Sequence, residues 1–132
     1  MIIKIILSVL LGCSIGFERE RCGKAVGSRT LALICLGSTM FCLMSPELGD
    51  NSRIVAQIVS GIGFLGAGII FKNGDTVHGL TTAATIWASA AIGALIGMNM
   101  FIEAILGAAA IIMINLGFRF FKSKSKNNQS DN

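Results

Sequence analysis

The sequence predicts an all-α protein, a polytopic membrane bundle of about five transmembrane helices. Three observations carry that prediction. Apolar residues make up 53% of the chain and charged ones only 14%, too little charge to cover the surface of a soluble domain of 132 residues. The mean hydropathy of +0.74 arises from five apolar segments in succession. Turn residues and charges gather in the connectors between those segments.

The first segment covers residues 2 to 17. Its start faintly resembles a lipoprotein signal ending at Cys13, but the lone Lys4 lies among isoleucines and the apolar run continues through Ile15 to Phe17, so it reads as a retained span. The next segments cover 30 to 45, 54 to 71, 80 to 98 and 100 to 118. An 18-residue helix reaches about 27 Å, close to the roughly 30 Å of a hydrocarbon core. Residues 1 to 121 are therefore read as one transmembrane domain, and 122 to 132 as a polar, basic tail expected to be disordered.

Orientation follows from the basic residues. Nine of the eleven Lys and Arg fall in the 18 to 29 loop, the 72 to 79 loop and the C-terminal end, against Lys4 and Arg53 on the other side. Basic excess marks the cytoplasm, which places the N-terminus outside and the tail inside. The net charge of +4 is thus explained by anionic lipid and implies no nucleic-acid partner.

Gly61-Ile62-Gly63-Phe64-Leu65-Gly66 spells G-x-G-x-x-G, but it lies inside an apolar stretch without the strand and acidic residue of a dinucleotide site. Helical spacing accounts for these residues better. Ala56, Ser60, Gly63 and Ala67 share one face of the third span; Ser8, Gly12 and Gly16 share a face of the first; Thr81, Thr85, Ser89, Gly93 and Gly97 recur every four residues in the fourth. In lipid, helices gain little by hiding apolar surface from one another, and small residues allow backbones to approach closely. Each stripe is expected to be a packing face.

Polar groups in such segments lie at an interface or serve a purpose. Asp50, Arg53 and Gln57 enter the third span at i, i+3 and i+7, either as a helix start with Asp50 capping and Arg53 snorkelling, or as the lining of a path. Glu103, one turn into the fifth span, is an interfacial carboxylate or a partner for Arg53. The Glu18-Arg19-Glu20-Arg21 run, with Lys24 and Arg29, is either a solvated salt-bridged turn or a functional loop. Thr81, Thr82 and Thr85 can bond their own helix's carbonyls. Trp87 lies deeper than an aromatic belt usually sits.

Magnesium takes oxygen ligands, which Glu18, Glu20 and Asp75 could supply on one side and Asp50 with Glu103 on the other, but no spacing singles it out. Neither a metal site nor a cofactor is assigned. Four cysteines without a C-x-x-C pair argue against zinc, and Cys13, Cys35 and Cys42 read as small fillers. One loop histidine, His78, without an evident nucleophile argues against enzymatic activity.

Three strings together resemble the transmembrane domain of the MgtC/SapB family: GFERERCGKAVGSRT at 16 to 30, RIVAQIVSGIGFLGAGII at 53 to 70, and GLTTAATIW at 79 to 87. The resemblance covers about residues 5 to 100. It implies a multi-pass protein of the bacterial inner membrane, tied to magnesium homeostasis and low-magnesium adaptation. The implied role is regulation of other membrane proteins, such as ion-pumping ATPases, through helix packing or self-association. The alternative is a cation permease or channel acting as an oligomer. By motif position it points to Glu18, Arg19, Glu20, Lys24, Arg29 and Thr30, to Arg53, Gln57, Ser60, Gly61, Gly63, Gly66 and Gly68, and to Thr81, Thr82 and Trp87. The motif glycines join the packing set. Many members continue into a soluble C-terminal domain, whereas this chain ends after an eleven-residue polar tail and is expected to be a short member lacking it. The chain departs from the family pattern at Asp50-Asn51, where Asp-Pro is common, and at Val26-Gly27-Ser28-Arg29-Thr30, where A-G-L-R-T is common.

Overall fold

The computed structural model describes residues 1–48 and 51–127, with side chains over 1–44 and 52–117. Five helices and one short hairpin follow one another: α1 (Ile2–Arg21), α2 (Ser28–Leu48), α3 (Asn51–Ala67), β1 (Phe71–Asn73), β2 (Thr76–His78), α4 (Leu80–Gly97) and α5 (Phe101–Asn127). The protein is all-helical apart from that hairpin.

α4 is the hub. It packs against all four other helices, and α2 in turn packs against α1 and α3. Its composition explains the position: Ile, Ala and small polar residues lie on every face, so no side needs water. Ile86, Ile92 and Ile96 of α4 meet Ile15, Leu31, Cys35, Ala104 and Ala108 in the core.

Two of the three predicted small-residue faces are used inside the bundle. A Cβ on Gly12 would come within 2.7 Å of the Ala32 Cα, and one on Gly16 would strike the Ser28 backbone, so α1 lies against the first half of α2. Added Cβ atoms on Gly93 and Gly97 would collide with the Cys35 carbonyl and the Cys42 side chain, which seats α4 against the second half of α2. Hydrogen bonds fix that seam. Cys35 Sγ donates to the Ser89 carbonyl at 3.0 Å, and Thr39 Oγ1 lies 2.8 Å from the Gly93 carbonyl and 2.9 Å from its own helix's Cys35 carbonyl.

The third face is a correction. Ala56, Ser60, Gly63 and Ala67 are all exposed, and nothing lies within 4 Å of a Cβ placed on Gly61 or Gly63. A Cβ on Gly68 would meet only carbonyls of its own helix; Gly66 alone of these glycines touches a neighbour, with Ala83 3.6 Å away. The reason is that α3 turns its branched residues inward, with Ile62 and, just past the helix, Ile69 packed on the core, which leaves the small residues outside. In the fourth span, Thr81 also faces outward.

Boundaries differ in informative places. The first connector begins later than expected, because α1 continues through Arg21 and carries Glu18 and Arg19 within it. It stops at Gly23 (φ +64), where Gly23 N donates to the Glu20 carbonyl and Lys24 N to the Arg19 carbonyl, a Schellman pair. Asn99 (φ 66) plays the same part after α4, with Asn99 N bonded to the Ile96 carbonyl and Met100 N to the Leu95 carbonyl. The third segment ends at Ala67 rather than 71. Phe71 then begins a hairpin that periodicity did not reveal, paired Phe71 to His78 and turning on Gly74-Asp75. α5 continues to Asn127, so the tail expected to be disordered from 122 is helical to that point; 128 to 132 lie outside the described residues.

By length and composition alone, one helix among the described residues, Leu80–Gly97, could cross a membrane, and it is largely buried. Of the five expected spans, α4 alone among the described residues meets that test, and the five helices themselves are present. α3 has 17 residues, about 25 Å, and Lys4, Glu18 and Arg19 interrupt the apolar length of α1.

Candidate functional site

The motif residues separate into a buried polar knot and a capped helix start, both at the end of the bundle where α1 closes and α2 begins, and an open groove that runs from that end along α2.

The knot lies in the last turn of α1. Glu18 and Arg19 are 7% and 3% exposed, which excludes a fully solvated salt-bridged turn. Arg19 Nε donates to Glu18 Oε2 at 2.9 Å, and Cys22 Sγ donates to Glu18 Oε1 at 3.1 Å. Asn115 of α5 brings its side-chain amide to Glu18, while its Nδ2 and Arg19 Nη1 are buried without a well-formed hydrogen bond. Asn115 escaped the sequence reading. The signal was available, since an amide inside the apolar run IIMINLG is the kind of group that must be accounted for.

Glu20 points the other way and ties α1 to α2. Its Oε1 accepts from the Ser28 backbone N–H at 2.9 Å and from Ser28 Oγ at 2.8 Å, which satisfies a free donor at the start of α2. These two bonds hold the Glu20 carboxyl below its ordinary range. Arg21 extends outward over the Phe17 ring, 4.5 Å from its centroid, and Lys24 is exposed.

The groove lies between α2 and α3, has a volume of about 1230 Å³ and is floored by Ile86 of α4. Its walls are apolar. Motif residues from two separate strings converge there: Arg29 and Thr30 at the start of α2, and Gln57, Gly61 and Gly68 from α3. Trp87 is half-exposed and lines a second cleft of about 230 Å³ between α3 and α4. Thr82 is buried, and Thr85 Oγ1 donates to the Thr81 carbonyl one turn back at 2.8 Å.

At the opposite end, Lys4 Nζ donates to the Gly97 carbonyl at 2.8 Å, placing a cation on the C-terminus of α4. Glu103 is exposed in the first turn of α5, where it complements that helix's dipole. Of the carboxylates considered for magnesium, Glu18 and Glu20 are engaged as above and Glu103 lies at the far end from them, while Asp50 falls outside the described residues. Among the described residues no group of three or more His, Cys, Asp or Glu could hold a metal ion. His78 stacks on Phe71 across the hairpin.

Fold and site together define a helical-bundle protein in which charged and polar side chains cap and join helix ends, and in which the open surface is an apolar groove. Comparison with known proteins gives the family. The chain matches the MgtC family over residues 5–124 and belongs to it. It is 50% identical over 109 residues to Protein MgtC of Brucella abortus, covering 80% of this chain and 46% of that one. To Protein MgtC of Salmonella typhimurium it is 45% identical over 120 residues, 89% and 52% of the two chains. An uncharacterised protein of Synechocystis is 42% identical over 121 residues, again 89% and 52%. The chain thus spans about half the length of the curated relatives it matches. No solved structure matches it.

Proposed function

We propose that this chain is a non-enzymatic, multi-pass protein of the bacterial inner membrane that acts in magnesium homeostasis by docking against a membrane partner. Family membership supports the magnesium connection through the resemblance described above. The membrane setting rests on the exterior. Ile6, Leu10, Leu33, Phe41, Phe64, Leu106 and Met113 are all more than half exposed, an apolar surface that a soluble monomer does not carry. Helices too short or too charged to insert alone are held in place by the central α4.

The observation that carries the docking role is the outward face of α3. The small faces of α1 and α4 are occupied inside the bundle, while Ala56, Ser60, Gly63 and Ala67 form an exposed strip with no helix against it among the described residues. Such a strip admits a partner's transmembrane helix at close range. The partner is another membrane protein, of the ion-pumping ATPase kind, or a second copy. Capture from native membranes after cross-linking tests this reading: a defined partner is recovered with the wild-type chain and lost with Ser60→Leu and Gly63→Leu. Magnesium-dye liposomes holding the purified protein remain without flux. Flux that Gln57→Ala abolishes, or capture indifferent to both leucines, overturns it.

A further inference from the structure

The α2–α3 groove lies beside the small-residue strip on α3 and shares only Ala67 with it, and its chemistry points to a different occupant. We infer that it is a binding site for one anionic phospholipid, with the phosphate at Arg29 and an acyl chain laid along the groove. This assignment rests on the membrane reading above and adds a ligand to it.

Length fits first. The α2 wall runs from Arg29 to Met44, fifteen steps or about 22 Å, longer than the roughly 15 Å of one leaflet's hydrocarbon. Depth comes from two glycines. Gly37 on α2 and Gly61 on α3 both line the groove, and a Cβ on either would meet nothing within 4 Å, so the space between the helices is open where two side chains would otherwise fill it. Charge supplies the polarity. Arg29 and Thr30 stand at the mouth, at the end of the bundle to which nine of the eleven basic residues belong, while Ser38 and Gln57 are the polar side chains farther in. Arg29 is exposed and makes no direct ion pair among the described residues, although its charge reaches the Glu20 carboxylate. The neighbouring carboxylate, Glu20, is already engaged by Ser28. A basic mouth between helices at the anionic leaflet is the chemistry that selects acidic headgroups.

Native mass spectrometry of the detergent-purified full chain, with phosphatidylglycerol or phosphatidylcholine added, tests the site. One phosphatidylglycerol per chain is retained in preference to phosphatidylcholine. Arg29→Gln lowers that retention roughly fivefold, the worth of one basic residue near an anionic surface. Gly61→Phe, whose ring enters open space rather than another helix, abolishes it with the fold intact by circular dichroism. Gly117→Phe, an equally open glycine on α5 outside the groove, leaves it unchanged. Equal retention of both lipids, indifference to Gly61→Phe, or a dimer or bound peptide that Gly61→Phe dissociates overturns the assignment. Carbonate extraction separates the two levels of the claim. A chain that resists extraction yet retains no lipid sinks the groove alone, whereas a chain that carbonate releases sinks the membrane reading beneath it.

Discussion

Glu18 and Arg19 are adjacent on one helical turn, and adjacent helical residues do not normally face each other. Here both are buried, Asn115 of α5 meets Glu18, and the hydrogen bond between Arg19 and Glu18 removes part of the cost of burying two charges. Removing one partner strands the other, so Glu18→Ala is expected to destabilise by about 3 to 5 kcal/mol. Replacing both by Leu and Met costs less, a difference that a double-mutant cycle by chemical denaturation measures. Glu20 gives a pH signature instead. Its carboxyl lies below the ordinary range because Ser28 donates to it twice. A depressed carboxyl contributes stability that is fully present above its unfolded pKa, about 4.3, and is lost as pH falls through the folded value. Acid titration of unfolding is expected to show wild type converging on Glu20→Gln below about pH 4.3; parallel curves refute the link between Glu20 and the start of α2.

Two kinds of glycine that look alike in sequence behave differently in their elements. Gly93 faces the Cys35 backbone, which cannot rotate away, and Gly63 faces open space. Gly93→Leu is expected to cost at least the roughly 1 to 3 kcal/mol typical of overpacking, while Gly63→Leu leaves thermal stability in detergent unchanged or slightly raised. The same thermal assay reads the α4–α5 turn. Asn99 holds φ 66 in the three-residue link between α4 and α5. Asn99→Gly is expected to be tolerated, and Asn99→Val to lose about 1 to 2 kcal/mol, because a β-branched residue resists the left-handed region. Equal effects of the two substitutions would show that the turn is not set by its backbone.

For the molecule as a whole, the separation of charge between the two ends makes a topological prediction. The close of α1, the start of α2 and the hairpin with Lys72 occupy one end, and the other end holds Lys4 against Gly97. Lys4 is therefore no exception to the basic bias: it serves the C-terminus of α4. With membrane-impermeant maleimide, Ala25→Cys is expected to react from the cytoplasmic side and Met98→Cys from outside, each in a background without native cysteines. Labelling of both from one side would contradict the proposed orientation.

Composition and hydrophobic segmentation were enough to determine five helices and their approximate limits, and three local strings carried the family resemblance, because each depends on the identity of residues close together in the chain. The stripes of Gly12 and Gly16, and of Gly93 and Gly97, were legible for the same reason: their spacing alone defines a face. What lay opposite each face was not. Gly63 sits on as good a stripe as Gly93, and only the inward turn of Ile62 and Ile69 left it outside. Likewise Arg29 and Gln57 are 28 positions apart, and nothing local announces that α2 and α3 place both on one groove. Glu18 meets Asn115, almost a hundred residues away, which no local pattern announces. Periodicity fixes which side chains share a surface, whereas the choice of neighbour is a competition among all helices for the same contacts, and that competition is decided only when the whole bundle closes.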